Sequence, residues 1–462
     1  MSDERRYRDR SLWLDGLAET LTPRPALIAD TTCDVVIVGA GFTGLWTAYY
    51  LKQAQPSLHV IVVEREIAGF GPSGRNGGWA SAFIAGSPAV YGRRSGAEAV
   101  LRAERETFST VTEIGRVVAA EGIGCGFHHG GSVSLAFNEP QLARLTAGVR
   151  AKHARGVTTD DIRLLETDEI AAVIRPRGAV GASFTPHCAR VDPARLVRGL
   201  AVACGRLGVT IHEHTPALTI RPRAVGCEHA TIRADVVIRA TEAYTTEVAG
   251  EVRRFLPLYS LMIATEPLDA AVFDELGWGE GLTVSDQHHL FFYAQRTPDN
   301  RIAIGGRGAP YRLGAPIREA YEQQQPVKQR LAASIREHFP AAAGAAITHH
   351  WGGPLGVPRD WCMSVVFDRH TGFGWAGGYA GHGVVAANIA GRTLADQIIG
   401  TDSDLVHLPW VGHVPRRWEP EPARYLASRA VVAMLSGADR REDATGRRSR
   451  RVGLIRPFIL SR

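Results

Sequence analysis

No apolar run in the 462 residues reaches the roughly 18 that a membrane span needs. The amino-terminal MSDERRYRDR is followed by no apolar stretch of the signal-peptide kind, so a cytoplasmic location is expected. None of the six cysteines (Cys33, Cys125, Cys188, Cys204, Cys227, Cys362) stands in CxxC spacing, which argues against a zinc site or a redox pair and for small buried hydrophobes. No internal repeat and no low-complexity segment occurs. What remains is an ordinary globular composition, 45% hydrophobic and 22% charged, with length enough for two interleaved domains.

The net charge of +6 has a local source. Eight arginines lie between Arg440 and Arg462, against Glu442 and Asp443 with Asp439 just before them. The body is therefore near neutral, and the basic balance is not a nucleic-acid footprint. The tail is expected to be a solvated, partly disordered arm, or to make a weak contact with an acidic surface.

Residues 1–30 read as a lead-in broken by Pro23 and Pro25. Asp34–Val38 (DVVIV) is a short β-branched run, as in a buried parallel strand. A helix is predicted from about Gly44, ending at Pro56, and a second strand over His59–Val63. Further helices are predicted over 97–120, from Asp192-Pro193 to about Gly208, and over 316–339. Strands are predicted at 131–137, 209–214, 235–238 and 372–376, and strand-like aromatic text fills 256–306. The fold class is α/β (α+β overall): a doubly wound sheet assembled from discontinuous segments, plus a second domain with a mixed or antiparallel sheet. The expected boundaries are a cofactor domain of 31–90, 186–250 and 350–404, a substrate domain of 91–185 and 251–349, and an extension of 405–462.

Three glycine-rich segments carry the chemistry. Gly39-Ala-Gly41-Phe42-Thr43-Gly44 is GxGxxG, placed between a predicted strand and a predicted helix. Gly39 permits the turn, Gly41 lets a pyrophosphate approach, and Gly44 lets helix and strand pack. The helix start offers N–H groups and positive potential to phosphate. Glu64, followed by Arg65, ends the next strand and suits ribose hydroxyls. This unit by itself serves NAD or FAD. The second segment, GFGPSGRNGG (Gly69–Gly78), follows where a nicotinamide enzyme would continue its βαβ text. Gly71, Ser73, Gly74, Gly77 and Gly78 let backbone lie against a planar ligand. Arg75 offers charge and Asn76 amide groups to a phosphate or ring edge. The third, Gly377-Gly378-Tyr379-Ala-Gly381-His382-Gly383, runs onto a helix at Val384 that Gly400 stops. Its N–H groups suit the pyrimidine end of a flavin, stabilising the reduced ring. Ala217, after the 209–214 strand, completes the cofactor candidates.

VIVGAGFTGLW, Glu64, GFGPSGRNGG and GGYAGHGV together resemble the FAD-dependent D-amino acid oxidase (DAO) family. SLWLDGL (Ser11–Leu17), Leu258–Leu268, Arg301–Gly306 and Pro415–Arg424 are most similar to its gamma-glutamylputrescine oxidoreductase branch. The resemblance covers roughly residues 10–425. It implies a glutathione-reductase-type FAD domain, a substrate domain and oxidation of a C–N bond. Amino-acid oxidases of the family often carry a carboxylate-clamping arginine in a WxGxR-like stretch. Here Trp351-Gly-Gly-Pro-Leu355 puts Leu355 in its place, which favours an amine, with Arg307 or Arg359 as substitute clamps. Of the three lysines, Lys52, Lys152 and Lys328, none falls where sarcosine-oxidase members activate oxygen; Ala303 stands near that place. Cys362 lies too far along to tether flavin as those members do, so FAD is expected to be non-covalent.

The expected reaction is hydride transfer from Cα of a neutral amine to flavin N5, giving an imine that hydrolyses to a carbonyl product. The catalytic candidates are Arg307, His382, Tyr259, Trp351 and Tyr293, with Met262 and Phe292 as further pocket candidates. Partners are the small amine and O2 or another electron acceptor. A D-amino acid or N-methyl amino acid oxidase or dehydrogenase is the near alternative. A flavin monooxygenase using NAD(P)H and a non-catalytic flavin scaffold are the distant ones.

Overall fold

The computed structural model describes residues 3–306, 311–450 and 452. Two eight-stranded sheets organise them. The first runs in the order Ser364–Asp368, Phe373–Gly377, Thr231–Arg239, Thr31–Val38, Val60–Val63, Thr210–His212. From Phe373–Gly377 to Thr210–His212 all neighbours are parallel. Alternation sorts their side chains to two faces. Val35, Ile37, Val60 and Val62 meet the helices Phe42–Ala54, Pro193–Arg206 and Gly383–Ile399. Val36, Val38, Ile61 and Val63 face the other way. There the cover is an antiparallel hairpin, Ala217–Arg221 with Ala224–Cys227, whose Val225 is fully buried. The doubly wound arrangement is thus corrected on this face: the second layer is a hairpin that pairs antiparallel onto the start of Thr231–Arg239.

The second sheet is mixed, in the order Ile347–Val357, Leu256–Thr265, Ile302–Gly306, Phe292–Arg296, Thr283–Asp286, Ser132–Ala136, Gly181–Thr185, Arg163–Leu165. Among the described residues of this sheet, only Thr283–Asp286 and Ser132–Ala136 pair in parallel. Ile347–Val357 straddles residue 350 and lies wholly in this sheet. One face buries Tyr259, Leu261, Ile263, Phe292 and Ile304 against Val327, Leu331 and Ile335 of the helix Gln325–His338. That helix starts late because Pro326 fits only its first turn; the segment before it is a separate turn, Glu319–Tyr321. The opposite face presents Met262, Ala264, Ala303 and Trp351 to Phe70 of the glycine loop.

The lead-in is no bare lead-in. Its helices, Asp3–Arg8 and Leu12–Asp15, bury Tyr7, Trp13 and Leu14 in that same cluster between the sheets. Ser11 Oγ accepts from Leu14 N (3.1 Å) and donates to Gly74 O (3.3 Å), while Trp13 Nε1 donates to Asn76 O (2.8 Å). Glu322 binds Arg10 from the lead-in (2.7 Å) and Arg75 from the glycine loop (2.6 Å), all three buried. Phe70 lies beneath both guanidiniums, at 5.0 and 5.3 Å.

The carboxy-terminal region departs from the solvated arm expected. Ala423–Thr445 is a helix that docks on the second domain. Asp439 accepts from His289 N and Leu290 N, and Glu442 pairs with Arg144 at 2.7 Å. Residues 453–462, with the last two arginines of the tail, lie outside the described residues. Among the described residues no helix is long and apolar enough to cross a membrane.

Removing the shared carboxylate takes the paired acid from the buried Arg75 and leaves Arg10 beside it with Glu319, at 2.8 Å. Glu322→Gln is expected to lower stability by about 3 kcal/mol, read from the denaturant midpoint. Glu98→Ala, which breaks the exposed pair with Arg102, is expected to leave that midpoint in place.

Candidate cofactor and active site

The fingerprint turn is built by close approach. Gly39 has φ +109, and a Cβ there would stand 2.7 Å from Ala240 O on the neighbouring strand. A Cβ on Gly44 would collide with Gly39 O, so helix and turn touch backbone to backbone. The helix Phe42–Ala54 has Gly41 at its N-cap and therefore no side-chain cap. Glu64 folds across this turn: its Oε2 accepts from Ala40 N (2.8 Å) and its Oε1 from Glu66 N (3.1 Å). Burial pushes its carboxyl pKa up. Arg65 turns outward to Glu247 (2.8 Å) and over the Tyr244 ring.

The second glycine segment meets the first at one atom. Ser73 Oγ accepts from Phe42 N (2.9 Å), and a Cβ on Gly41 would lie 2.9 Å from that oxygen. Two expectations are revised here. Asn76 braces the loop itself, donating to Pro72 O and Ser73 O and accepting from Gly78 N. Arg75 is aimed at Glu322, Gly352 O (3.0 Å) and Tyr244 OH (3.2 Å) instead of a phosphate. Burial opposes its charge, but Glu322 and Tyr244 prevail and hold its pKa up. The last two glycines admit protein. A Cβ on Gly77 would be 2.6 Å from the Tyr293 ring, and one on Gly78 (φ +70) would collide with Gln295, whose amide donates to Gly77 O (2.6 Å). Gly71 faces the Tyr244 ring, and Gly74 folds against Gly69 O.

The third segment reaches the first through Tyr379, whose hydroxyl is 2.8 Å from Thr43 Oγ1. Gly378 N and Tyr379 N donate to Glu242 Oε1 at 3.1 and 3.0 Å. Gly381 (φ +106) turns the chain, and His382 is the N-cap of the helix Gly383–Ile399 without a side-chain cap bond. Val384 is buried behind it, and the His382 ring lies 5.7 Å from Phe83. Ala217 opens the hairpin on the opposite sheet face, beside Val36 and Val38.

A fourth segment joins these three and was missed in the sequence. Ala240–Tyr244 follows the central strand; it touches Gly39 through Ala240, the third segment through Glu242, and the second through Tyr244. The strand itself was legible. The signal that would have found its continuation is that ligands of parallel sheets bind beyond the carboxyl ends of the strands.

On the second sheet, Tyr293 OH is 2.6 Å from Ser260 Oγ, with its ring edge-on to Trp79. Trp351 Nε1 donates to Arg75 O (2.9 Å), and Met262 belongs to the same cluster. These three therefore meet at the glycine loop. Tyr259 and Phe292 do not: Tyr259 OH accepts from Arg318 N (3.0 Å), and Phe292 packs on Phe339 in the core behind the sheet. Arg359 is paired with Glu419 beneath Trp418. Arg307 lies outside the described residues.

A helix start whose N-cap is glycine, a cradle that Cβ atoms would fill and a half-buried acid at the strand end fit a dinucleotide. Residues 34–397 match the FAD dependent oxidoreductase family, DAO. The chain belongs to that family and is an FAD-dependent oxidoreductase. It is 29% identical over 399 residues to the probable oxidoreductase OrdL of Haemophilus influenzae, covering 82% of this chain and 86% of that protein. It is 28% identical to the gamma-glutamylputrescine oxidoreductase of Escherichia coli, covering 86% and 92%. Among solved structures, glycine oxidase from Geobacillus kaustophilus shares the fold, with a TM-score of 0.70 at 19% identity over 84% of this chain and 100% of that one.

Gly41→Val adds branched carbon where one methyl already presses on Ser73 Oγ. The variant is expected to purify colourless, without flavin absorbance, while its far-UV circular dichroism is unchanged. A yellow, fully loaded variant would contradict this placement.

Proposed function

We propose that this chain oxidises the C–N bond of a small amine or amino compound to an imine, which then hydrolyses to a carbonyl product. The observation that carries the proposal is the second glycine segment, which touches the fingerprint helix through Ser73 and meets Tyr293, Trp351 and Met262 on its other side. The names of the relatives, a gamma-glutamylputrescine oxidoreductase and a glycine oxidase, support this substrate class. In this reading the sheet of 31–63, 210–239 and 364–377 carries FAD and the mixed sheet carries the substrate.

When bound, FAD supplies a ring that accepts a hydride. The chain does the rest. The helix start at Gly41–Gly44 and Glu64 hold the nucleotide half, and Gly378, Tyr379 and His382 border the ring. Tyr293, held by Ser260, orients the substrate, and Trp351 and Met262 exclude water. A neutral amine needs no strong base, so positioning and desolvation dominate. Leu355 in place of a clamping arginine favours an amine over a plain α-amino acid. Arg307, after Gly305-Gly306, remains the candidate for contact with a charged end of the substrate. Cys362 Sγ is occupied by Ser87 N and Asp360 O, which supports non-covalent FAD.

Anaerobic mixing with polyamines, N-methyl amines and D- and L-amino acids is expected to bleach the flavin without NAD(P)H. Reduction by NAD(P)H alone, or by nothing, would overturn the proposal. Tyr293→Phe is expected to lower kcat/KM about tenfold with FAD content unchanged. Arg307→Ala is expected to raise KM; unchanged kinetics would remove it from the site.

A further inference from the structure

Glu242 stands where the glycine segments meet, and its chemistry is unusual for that place. Its backbone is left-handed (φ +41), a conformation that favours glycine. The residue is half-buried, its Oε2 is shut off from solvent, and only one carboxyl oxygen is satisfied. Oε1 takes the N–H groups of Gly378 and Tyr379, while Oε2 has no hydrogen bond. Among the described residues no lysine, arginine or histidine pairs with it. The groups facing it are the backbone of Gly378 and Gly356 and one titratable side chain, the Tyr379 phenol, itself bound to Thr43. On its own turn, Tyr244 points to Arg75. Burial pushes the Glu242 carboxyl up to about 7.

Two conflicts follow. The N–H groups that Glu242 occupies are those assigned above to the ring of the cofactor. FAD also brings an anionic pyrophosphate into the same cleft, and an ionised, unpaired carboxylate there is penalised twice. A neutral carboxyl avoids the charge penalty, holds the two N–H groups less strongly and so yields them at lower cost, and gains an O–H donor.

We propose that Glu242 is an additional residue of the FAD site whose carboxyl must be protonated for the cofactor to seat, so that FAD binding takes up one proton there. The proposal rests on the assignment of the third glycine segment to the cofactor. The sign follows from linkage. A carboxyl whose pKa rises further on binding favours the complex fully below the pKa of the free protein. That advantage is lost as pH rises through it. FAD affinity is therefore flat below about pH 7 and falls roughly tenfold per pH unit above it.

The test dilutes the yellow holoenzyme at a series of pH values and reads released FAD by its fluorescence. The wild type is expected to show the falling affinity. Glu242→Gln, and Glu242→Gly, which suits the left-handed backbone, are expected to stay yellow with an affinity flat across the series. A wild-type affinity flat in pH, or variants that keep the wild-type slope, overturns the role of Glu242. The wild-type slope decides alone if the variants fail to fold. If the wild-type chain binds no FAD at any pH, the cofactor assignment itself falls with it; a bound but pH-independent FAD removes only Glu242.

Discussion

Ala240 O lies so near Gly39 that no other residue fits there, and much of the molecule follows from that contact. It forces two adjacent parallel strands to end at the same level. Their continuations, the fingerprint turn and Ala240–Tyr244, are thereby pressed together. A third strand, Phe373–Gly377, ends beside them and delivers Gly378 and Tyr379. Parallel pairing places every strand's carboxyl end on one edge, so segments far apart in sequence arrive at one cleft.

The second domain is held to that cleft by charge buried in an apolar seam. Glu322 joins the lead-in through Arg10 and the glycine loop through Arg75, over the face of Phe70. Burial and the neighbouring Arg75 charge lower the pKa of Arg10, against which Glu322 and, at 2.8 Å, Glu319 hold its charge. Such a triad gives little net stability against a hydrophobic substitute, but it fixes which surfaces meet. It positions Trp351 and Tyr293 at the glycine loop, and the chemistry proposed for the site depends on that placement.

The glycine loop shows how one pattern serves two ends. Gly71 and Ser73 face the fingerprint and Tyr244, whereas Gly77 and Gly78 make room for Tyr293 and Gln295 of the other sheet. A run of glycines reports that something approaches closely. It does not report whether that something is a ligand or another part of the chain. For the same reason Arg75 reads as a phosphate ligand in the sequence and is an ion-pair partner in the fold.

Local text determined the parallel strands, the fingerprint turn, the Asp192 cap and the Gly400 stop, because each rests on near-neighbour periodicity or a single φ. It also determined the family, because the three glycine segments are each short and contiguous. Tertiary structure alone decided the rest. The lead-in became a buried wedge through partners about 60 residues and more away, Asn76 and Glu66. Tyr259 and Phe292 were separated from Tyr293 by which sheet face each side chain takes, a matter of strand register that composition does not carry. Glu242 entered the site because pairing between distant strands, and not any motif around it, set a carboxyl against two backbone N–H groups.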